Sequence, residues 1–232
     1  MKVDKINFFL SKVKHYLRVN NNDEFLYKYE CLKNFQENWD IDSTDLLTMY
    51  DHSFSSKISS RLWGGRQDSP KSAMLKMIAA DKHFADAMFR DLFDEEKEVG
   101  PRMDRFFFHC DQLAEITSKD KKDLLHHKHD NHNIISVYLS FRYPEKYCIF
   151  EYPLFRKTMI KLEVQTVPQE FEISRFFKLS QALYKIISKD EELMKIQKKR
   201  IDNKTFYKDA SLLIISDFYE LVGGSQYMIE RY

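Results

Sequence analysis

The chain has 232 residues, of which 43% are hydrophobic and 15% aromatic, and this apolar content excludes a disordered chain. Lys and Arg number 37 against 36 Asp and Glu, so the net charge of +1 excludes the broad basic field that is typical of a dedicated nucleic-acid binder. Only five Gly and five Pro interrupt the sequence, which is too few for the frequent turns of a β-sandwich or barrel. We therefore expect an all-α, compact multi-helix domain.

Apolar residues at helical spacing predict most of the elements. In residues 4–19, Ile6, Phe9 and Val13 share one face, and the turn-forming residues 20–23 end the helix. Residues 55–70 read as a loop in which Trp63 packs against the body of the domain, and Ser69-Pro70 then starts a helix with a capping hydroxyl and a proline. Further helices are predicted over residues 24–38, 43–54, 70–93, 102–117, 170–188 and 209–222.

Three segments lack the helical spacing of apolar residues that predicts the other elements. Residues 134–141 (IISVYLSF) suit either a buried strand or a buried helix, so one short hairpin near 134–152 is possible within the all-α fold. Residues 118–133 read as an exposed polar loop, and residues 189–204 as a charged segment. We expect one helical domain over 1–222, with a possible subdivision near 55–70, and a linker or tail over 223–232.

The sequence gives no sign of export or of disulfide bonding. The cysteines, Cys31, Cys110 and Cys148, are widely separated and form no CxxC pair, so neither a disulfide framework nor a zinc ribbon is indicated. The N-terminal apolar patch, residues 6–10, is too short for a signal peptide, and no later run approaches the roughly 20 apolar residues of a membrane span. We expect a cytoplasmic protein.

A histidine-rich stretch is the first candidate for chemistry. Imidazole and carboxylate are zinc ligands, but a metal site needs fixed geometry and an ordered surrounding, whereas this stretch reads as a solvated loop flanked by lysines. We therefore expect no metal there. The side chains concerned are His126, His127, His129, His132 and Asp130.

Arg102 and His109 fit the short Arg-x4–6-His pattern of HEPN-type ribonucleases, which are also all-helical. That resemblance implies that the arginine binds the scissile phosphate and the histidine acts in general acid–base catalysis. The nucleotide, metalloprotease and hydrolase motifs GxxxxGK[ST], HExxH and GxSxG do not occur in the sequence. We therefore expect neither a cofactor nor catalysis by the chain itself, with a small helical ribonuclease as the alternative.

The densest basic cluster consists of Lys195, Lys198, Lys199 and Arg200. On a helix the three lysines share one face, and such a stripe is suited to contacting phosphates. The alternative is a solvated face on which acidic residues 191 and 192 pair with Lys195. If the cluster binds nucleic acid, we expect the binding to be weak, sensitive to salt and indifferent to sequence.

Four blocks resemble a known family: YECLKNFQENWDID (29–42), MFRDLFDEEKEVGPRMDRF (88–106), ISVYLSFRYPEKYCIFEYPLFR (135–156) and LLIISDFYELV (212–222). They are similar to the N-terminal helical region of McrB-type AAA+ proteins, the GTP-dependent motor subunits of modification-dependent restriction systems. The similarity spans about residues 25–222.

This resemblance implies a non-catalytic N-terminal recognition or adaptor domain of an anti-phage restriction protein. Its partners would be a downstream AAA+ GTPase region, the nuclease subunit and, if the domain itself contacts nucleic acid, DNA. We expect no membrane partner, and no small-molecule substrate is evident from the sequence. The chain would then be an excised N-terminal domain or a separately encoded fragment. A pure assembly module without nucleic-acid contact is the further alternative.

Overall fold

The structure, a computed structural model, describes residues 1–20, 24–56, 58–63, 69–117, 129, 132–224 and 229. These residues form eleven α-helices and one 3-10 helix, Ser59–Trp63, with no strand among them, which confirms the all-α fold. The α-helices are α1 (Val3–Val19), α2 (Leu26–Asn38), α3 (Leu46–Ser53), α4 (Pro70–Ala80), α5 (Lys82–Leu92), α6 (Val99–Thr117), α7 (His132–Arg142), α8 (Tyr152–Lys161), α9 (Ile173–Ile187), α10 (Glu191–Arg200) and α11 (Leu213–Gly223).

Short polar side chains set the start of several helices. Asp45, Ser69 and Asp190 each accept a hydrogen bond from the backbone N–H three residues further on, which satisfies a donor that has no partner within the helix. Asp81 does the same for Phe84 while its own backbone is extended. The helix predicted over 70–93 is therefore two helices, α4 and α5, with Asp81 between them.

Other boundaries also differ from the sequence prediction. Pro101 lies in the first turn of α6, where a missing N–H costs nothing, so the helix begins at Val99 and not after the Gly-Pro pair. α8 was not predicted, and the charged segment 189–204 contains α10. Most of the expected polar loop, residues 118–128 and 130–131, and most of the expected tail lie outside the described residues.

The possible hairpin near 134–152 does not form. Residues 134–141 belong to α7, and every one of them is buried, so the continuous apolar run reflects burial of the helix on all sides. The chain turns at residues 144–146, and residues 147–150 have no regular secondary structure. Instead, the N–H groups of Ile149 and Phe150 donate to the hydroxyls of Ser216 (3.0 Å) and Ser136 (2.8 Å).

Buried apolar side chains from all eleven α-helices form one continuous core. Trp63 is part of it, with its ring 5.5 Å from that of Phe54, as expected from the sequence. α8 and α11 pack closely at Gly223, where a Cβ atom would lie 2.3 Å from the carbonyl oxygen of Leu154. None of the helices in the described ranges has both the length and the apolar character that crossing a membrane requires.

Candidate nucleic-acid interface

α10 is a short helix with acidic residues near its N-terminus and basic residues near its C-terminus. Asp190 caps its N-terminus, Glu191 and Glu192 occupy the first turn, and the last turn is basic. Acidic groups near the positive end of a helix and basic groups near its negative end both stabilise it. This arrangement explains why a segment with little apolar content is helical, with Leu193 and Gln197 as its buried side chains.

The outer face of α10 carries Lys195, Lys198 and Lys199, as predicted. Successive helical residues turn by 100°, which places Lys195 opposite Leu193 and Gln197, with Lys198 and Lys199 on either side of it. The side chain of Lys195 is 81% exposed, and its amino group lies 4.0 Å from the carboxylate of Glu191, which is itself 89% exposed. Lys198 and Lys199 are exposed and form no ion pair with any residue that the structure describes.

The two glutamates do not neutralise this face together. The alternative of a solvated face predicts that both Glu191 and Glu192 pair with Lys195. Glu191 does so, whereas Glu192 pairs with Lys14 of α1 at 2.8 Å and with Arg18. Asp190 also binds Lys14, at 2.7 Å. The acidic end of α10 is thus used to attach α10 to α1, and the lysines near its other end remain available.

The prediction that Arg200 belongs to the exposed cluster is wrong. Its side chain is only 6% exposed, and its guanidinium donates to the carboxylate of Asp217 (3.2 Å) and to the side chain of Gln197. Arg200 follows Leu193 by seven residues, two turns of the helix, and therefore points inward with it. It holds α10 against α11 and does not face solvent.

Arg200 is one of four charged side chains in a buried cluster that the sequence analysis missed. Asp217 binds the amino group of Lys28 at 2.7 Å and accepts a hydrogen bond from the hydroxyl of Tyr29 at 3.0 Å. Glu220 also binds Lys28, at 2.5 Å. Two cations and two carboxylates balance, which is the condition under which buried charges are tolerated.

The charges within the cluster keep Lys28 protonated and the phenol of Tyr29 neutral. Burial by itself lowers the pKa of Lys28, but the carboxylates of Asp217 and Glu220 outweigh it and hold that pKa above its usual value. Burial, and then the charge of Asp217, raises the pKa of the Tyr29 phenol. Two charged residues within the apolar run LLIISDFYELV were the signal that could have revealed this cluster.

Arg102 and His109 do not form an open pair. Arg102 is 1% exposed, and its guanidinium donates to the carbonyl of Leu92, to Glu95 and to the hydroxyl of Tyr147, each at 2.8 Å. His109 is half-buried and contacts Gln112 through its Nδ1 atom at 3.0 Å. Because the guanidinium is enclosed, it offers no surface to a phosphate.

The histidine-rich stretch is described only in part. His129, expected in an exposed loop, is fully buried, with its Nε2 atom 2.7 Å from the hydroxyl of Tyr138. His132 lies 3.1 Å from Asp104, while His126 and His127 are outside the described residues. Within the ranges that the structure covers, no group of three or more His, Cys, Asp or Glu side chains could hold a metal ion.

Comparison with known proteins identifies no relative. No family model, no curated protein and no solved structure matches the chain.

Proposed function

We propose that the chain is a non-catalytic recognition or adaptor domain whose α10 contacts nucleic-acid phosphates. The observation that carries the proposal is the outer face of α10, where Lys198 and Lys199 are exposed and without ion pairs among the described residues. Lys195 adds a third charge, whose ion pair with Glu191 is long, at 4.0 Å, and exposed to solvent. Phosphate contacts of this kind position a protein on nucleic acid and carry no base information.

The enclosure of Arg102 supports a non-catalytic role over a ribonuclease. An arginine that binds a scissile phosphate must reach it, and Arg102 instead holds Glu95 and Tyr147 in the interior. The resemblance to the N-terminal region of McrB-type proteins leads us to propose further that the domain serves an anti-phage restriction system. There it would act with an AAA+ GTPase region and a nuclease subunit.

The nucleic-acid part is tested by fluorescence anisotropy with a labelled duplex of arbitrary sequence. With three lysines in contact, we expect a log–log salt slope of roughly −3, since each neutralised phosphate contributes about −0.9. The slope should be the same for a second duplex of unrelated sequence. Binding that persists unchanged at high salt would contradict contact through exposed lysines.

Two double variants distinguish an effect of the outer face of α10 on binding from an effect of the net charge of the chain. Lys195→Glu with Lys199→Glu changes the net charge from +1 to −3, because each reversal removes two charges, and should abolish binding at low salt. Lys76→Glu with Lys157→Glu makes the same change at exposed positions of α4 and α8 and should retain most of the binding. Equal loss in both variants would show that α10 has no special role.

The family part is tested separately, by the sequence that follows this region in the native gene. A McrB-type protein would continue into a GTPase with a GxxxxGK[ST] motif, whose backbone N–H groups and lysine bind the nucleotide phosphates. A reading frame without that motif, and without such a protein encoded beside it, would contradict the restriction role. That result would not bear on the proposal that α10 contacts nucleic acid.

A further inference from the structure

A cleft of about 350 Å³ opens beside α10, between that helix, the end of α9 and the loop 201–211. Its size lies at the lower end of the range for small-molecule sites, roughly 300–1,000 Å³. Of the residues that line this cleft, the proposed function uses Lys198 alone. It is formed by residues that are all described, so its shape rests on defined side chains.

The inner surface of the cleft is apolar and aromatic. Ile201 and Ile214 are 6% and 5% exposed, and Tyr184 and Met194 are half-buried beside them. These four side chains present hydrocarbon, an aromatic ring and a polarizable thioether, which together favour a flat or branched apolar group. The body of a bound ligand would therefore be apolar and about the size of an aromatic side chain.

The back wall of the cleft is held in place by the buried charge cluster. Tyr29 lines the cleft while its hydroxyl donates to Asp217, and Gln197 lines it while its side chain binds Arg200. Because both side chains are fixed by buried partners, little freedom remains to be lost when a ligand binds. A wall that is already ordered favours affinity for this reason.

The rim of the cleft carries one free charge of each sign. Lys208 and Asp202 neutralise each other at 3.0 Å. Lys198 and Asp209 also line the cleft, and neither forms an ion pair with any part of the chain that the structure describes. A ligand with only an anionic group would leave Asp209 without a partner, and one with only a cationic group would leave Lys198 without one.

We propose that this cleft binds a small zwitterion with an apolar body, the chemical class of the hydrophobic α-amino acids. The carboxylate of the ligand would pair with Lys198, its ammonium group with Asp209, and its side chain would pack against Tyr184, Ile201 and Ile214. This site adjoins the phosphate-contacting face and shares Lys198 with it, whereas its other residues take no part in the proposed phosphate contacts. It does not depend on nucleic-acid binding.

Isothermal titration with three related compounds tests the assignment: L-tryptophan, 3-indolepropionate, which lacks the ammonium group, and tryptamine, which lacks the carboxylate. We expect L-tryptophan to bind and each of the other two to bind about tenfold more weakly or worse, because each loses one charge-assisted contact. No heat from L-tryptophan at millimolar concentration, or equal binding of all three compounds, would overturn the proposal.

Variants test which group of the ligand pairs with Lys198 and which with Asp209. They also test whether ligand binding in the cleft is separable from nucleic-acid binding at the outer face of α10. Lys198→Met should remove the preference for L-tryptophan over tryptamine, and Asp209→Asn the preference over 3-indolepropionate. Lys195→Glu with Lys199→Glu should leave L-tryptophan binding unchanged while it abolishes nucleic-acid binding, so the two proposals can fail independently. If L-tryptophan binding is unaffected by both Lys198→Met and Asp209→Asn, the ligand lies elsewhere and the assignment is wrong.

Discussion

Asp217 shows how a single buried carboxylate organises distant parts of the chain. It forms ion pairs with Lys28 of α2 and Arg200 of α10 and accepts a hydrogen bond from Tyr29 of α2, all at 2.7–3.2 Å. Its side chain is only 3% exposed, so water cannot replace these partners. The cationic groups of Lys28 and Arg200 are therefore buried at a cost that Asp217 offsets together with Glu220.

Replacing Asp217 by Ala should lower the free energy of unfolding by about 3–5 kcal/mol, because Lys28 and Arg200 would keep their charge in the interior with one carboxylate fewer. Urea unfolding followed by circular dichroism measures this loss. Asp209→Ala, at an exposed position, serves as the matched control and should change stability by less than about 0.5 kcal/mol. Similar small losses in both variants would mean that the cluster contributes no stability.

The three cysteines should be unreactive in the folded protein. All are buried and free, and burial raises the pKa of Cys31 and of Cys148 to about 12. Only the thiolate attacks a disulfide reagent, so both access and ionisation oppose the reaction. At pH 8 we expect little reaction with Ellman's reagent in buffer and three thiols per chain in urea. Rapid reaction of one thiol in buffer would show that its site opens readily.

At the residue scale, the sequence predicts exposed groups better than buried partners. Lys195, Lys198 and Lys199 lie where helical spacing puts them, whereas Arg200 is adjacent in sequence but turned inward by the same 100° rule. The buried cluster could not be predicted in this way, since Tyr29 and Asp217 are 188 positions apart. Sequence proximity does not reveal which distant charge will neutralise a buried one.

At the scale of elements, helices with a long apolar stripe are predictable and short ones are not. α9 buries six side chains along fifteen residues, and its prediction over 170–188 needs only that stripe. α8 buries Phe155, Thr158 and Met159 alone, too few positions to establish a period. Its place in the fold depends on contact with α11, which local sequence does not encode.

Gly223→Ala should destabilise the α8–α11 contact. The new methyl group would meet the carbonyl oxygen of Leu154 at 2.3 Å and the hydroxyl of Thr158 at 2.9 Å, so the helices must separate. We expect a loss of about 1–3 kcal/mol, the usual cost of overpacking, visible as a lower Tm. Gly100→Ala is the control, because its nearest neighbours, Ile173 and Ser174, are side-chain atoms at 3.2 and 3.3 Å that can adjust. Equal Tm values for the two variants would contradict the close approach.

Glu95 joins the segment before α6 to the segment after α7, and it should make stability depend on acid pH. Burial raises its pKa, but hydrogen bonds from Lys146, Tyr147 and Arg102 outweigh this, so the net pKa lies below the usual value. A lowered pKa in the folded state means that the stabilisation is present above the unfolded-state pKa, about 4.3, and is lost as pH falls through the folded-state value.

Glu95→Gln tests this dependence, since glutamine has a similar shape and no titration. The difference in unfolding free energy between the native chain and the variant should be largest near pH 7 and should shrink as pH falls below about 4.3. Urea unfolding across that pH range measures it. A difference that stays constant with pH would show that Glu95 acts through shape and hydrogen bonding alone.

At the scale of the whole molecule, the continuous core should make unfolding cooperative. Trp39 stacks on Phe35 at 4.8 Å and Trp63 contacts Phe54, so fluorescence reports the first third of the chain, whereas circular dichroism reports all helices. We expect the two urea transitions to coincide, as in a two-state protein. A fluorescence transition at lower urea concentration would instead support the subdivision near 55–70.

The ion pair between Lys28 and Glu220 spans 192 positions of the chain and so has a consequence for folding on the ribosome. Translation proceeds at roughly 5–20 residues per second, so α2 emerges about 10–40 seconds before its carboxylate partners on α11. Until then the amino group of Lys28 has neither countercharge and must stay hydrated, which keeps α2 from settling into its final place. The nascent chain is thus expected to remain loosely packed until α11 leaves the exit tunnel, and to depend on chaperones during that interval.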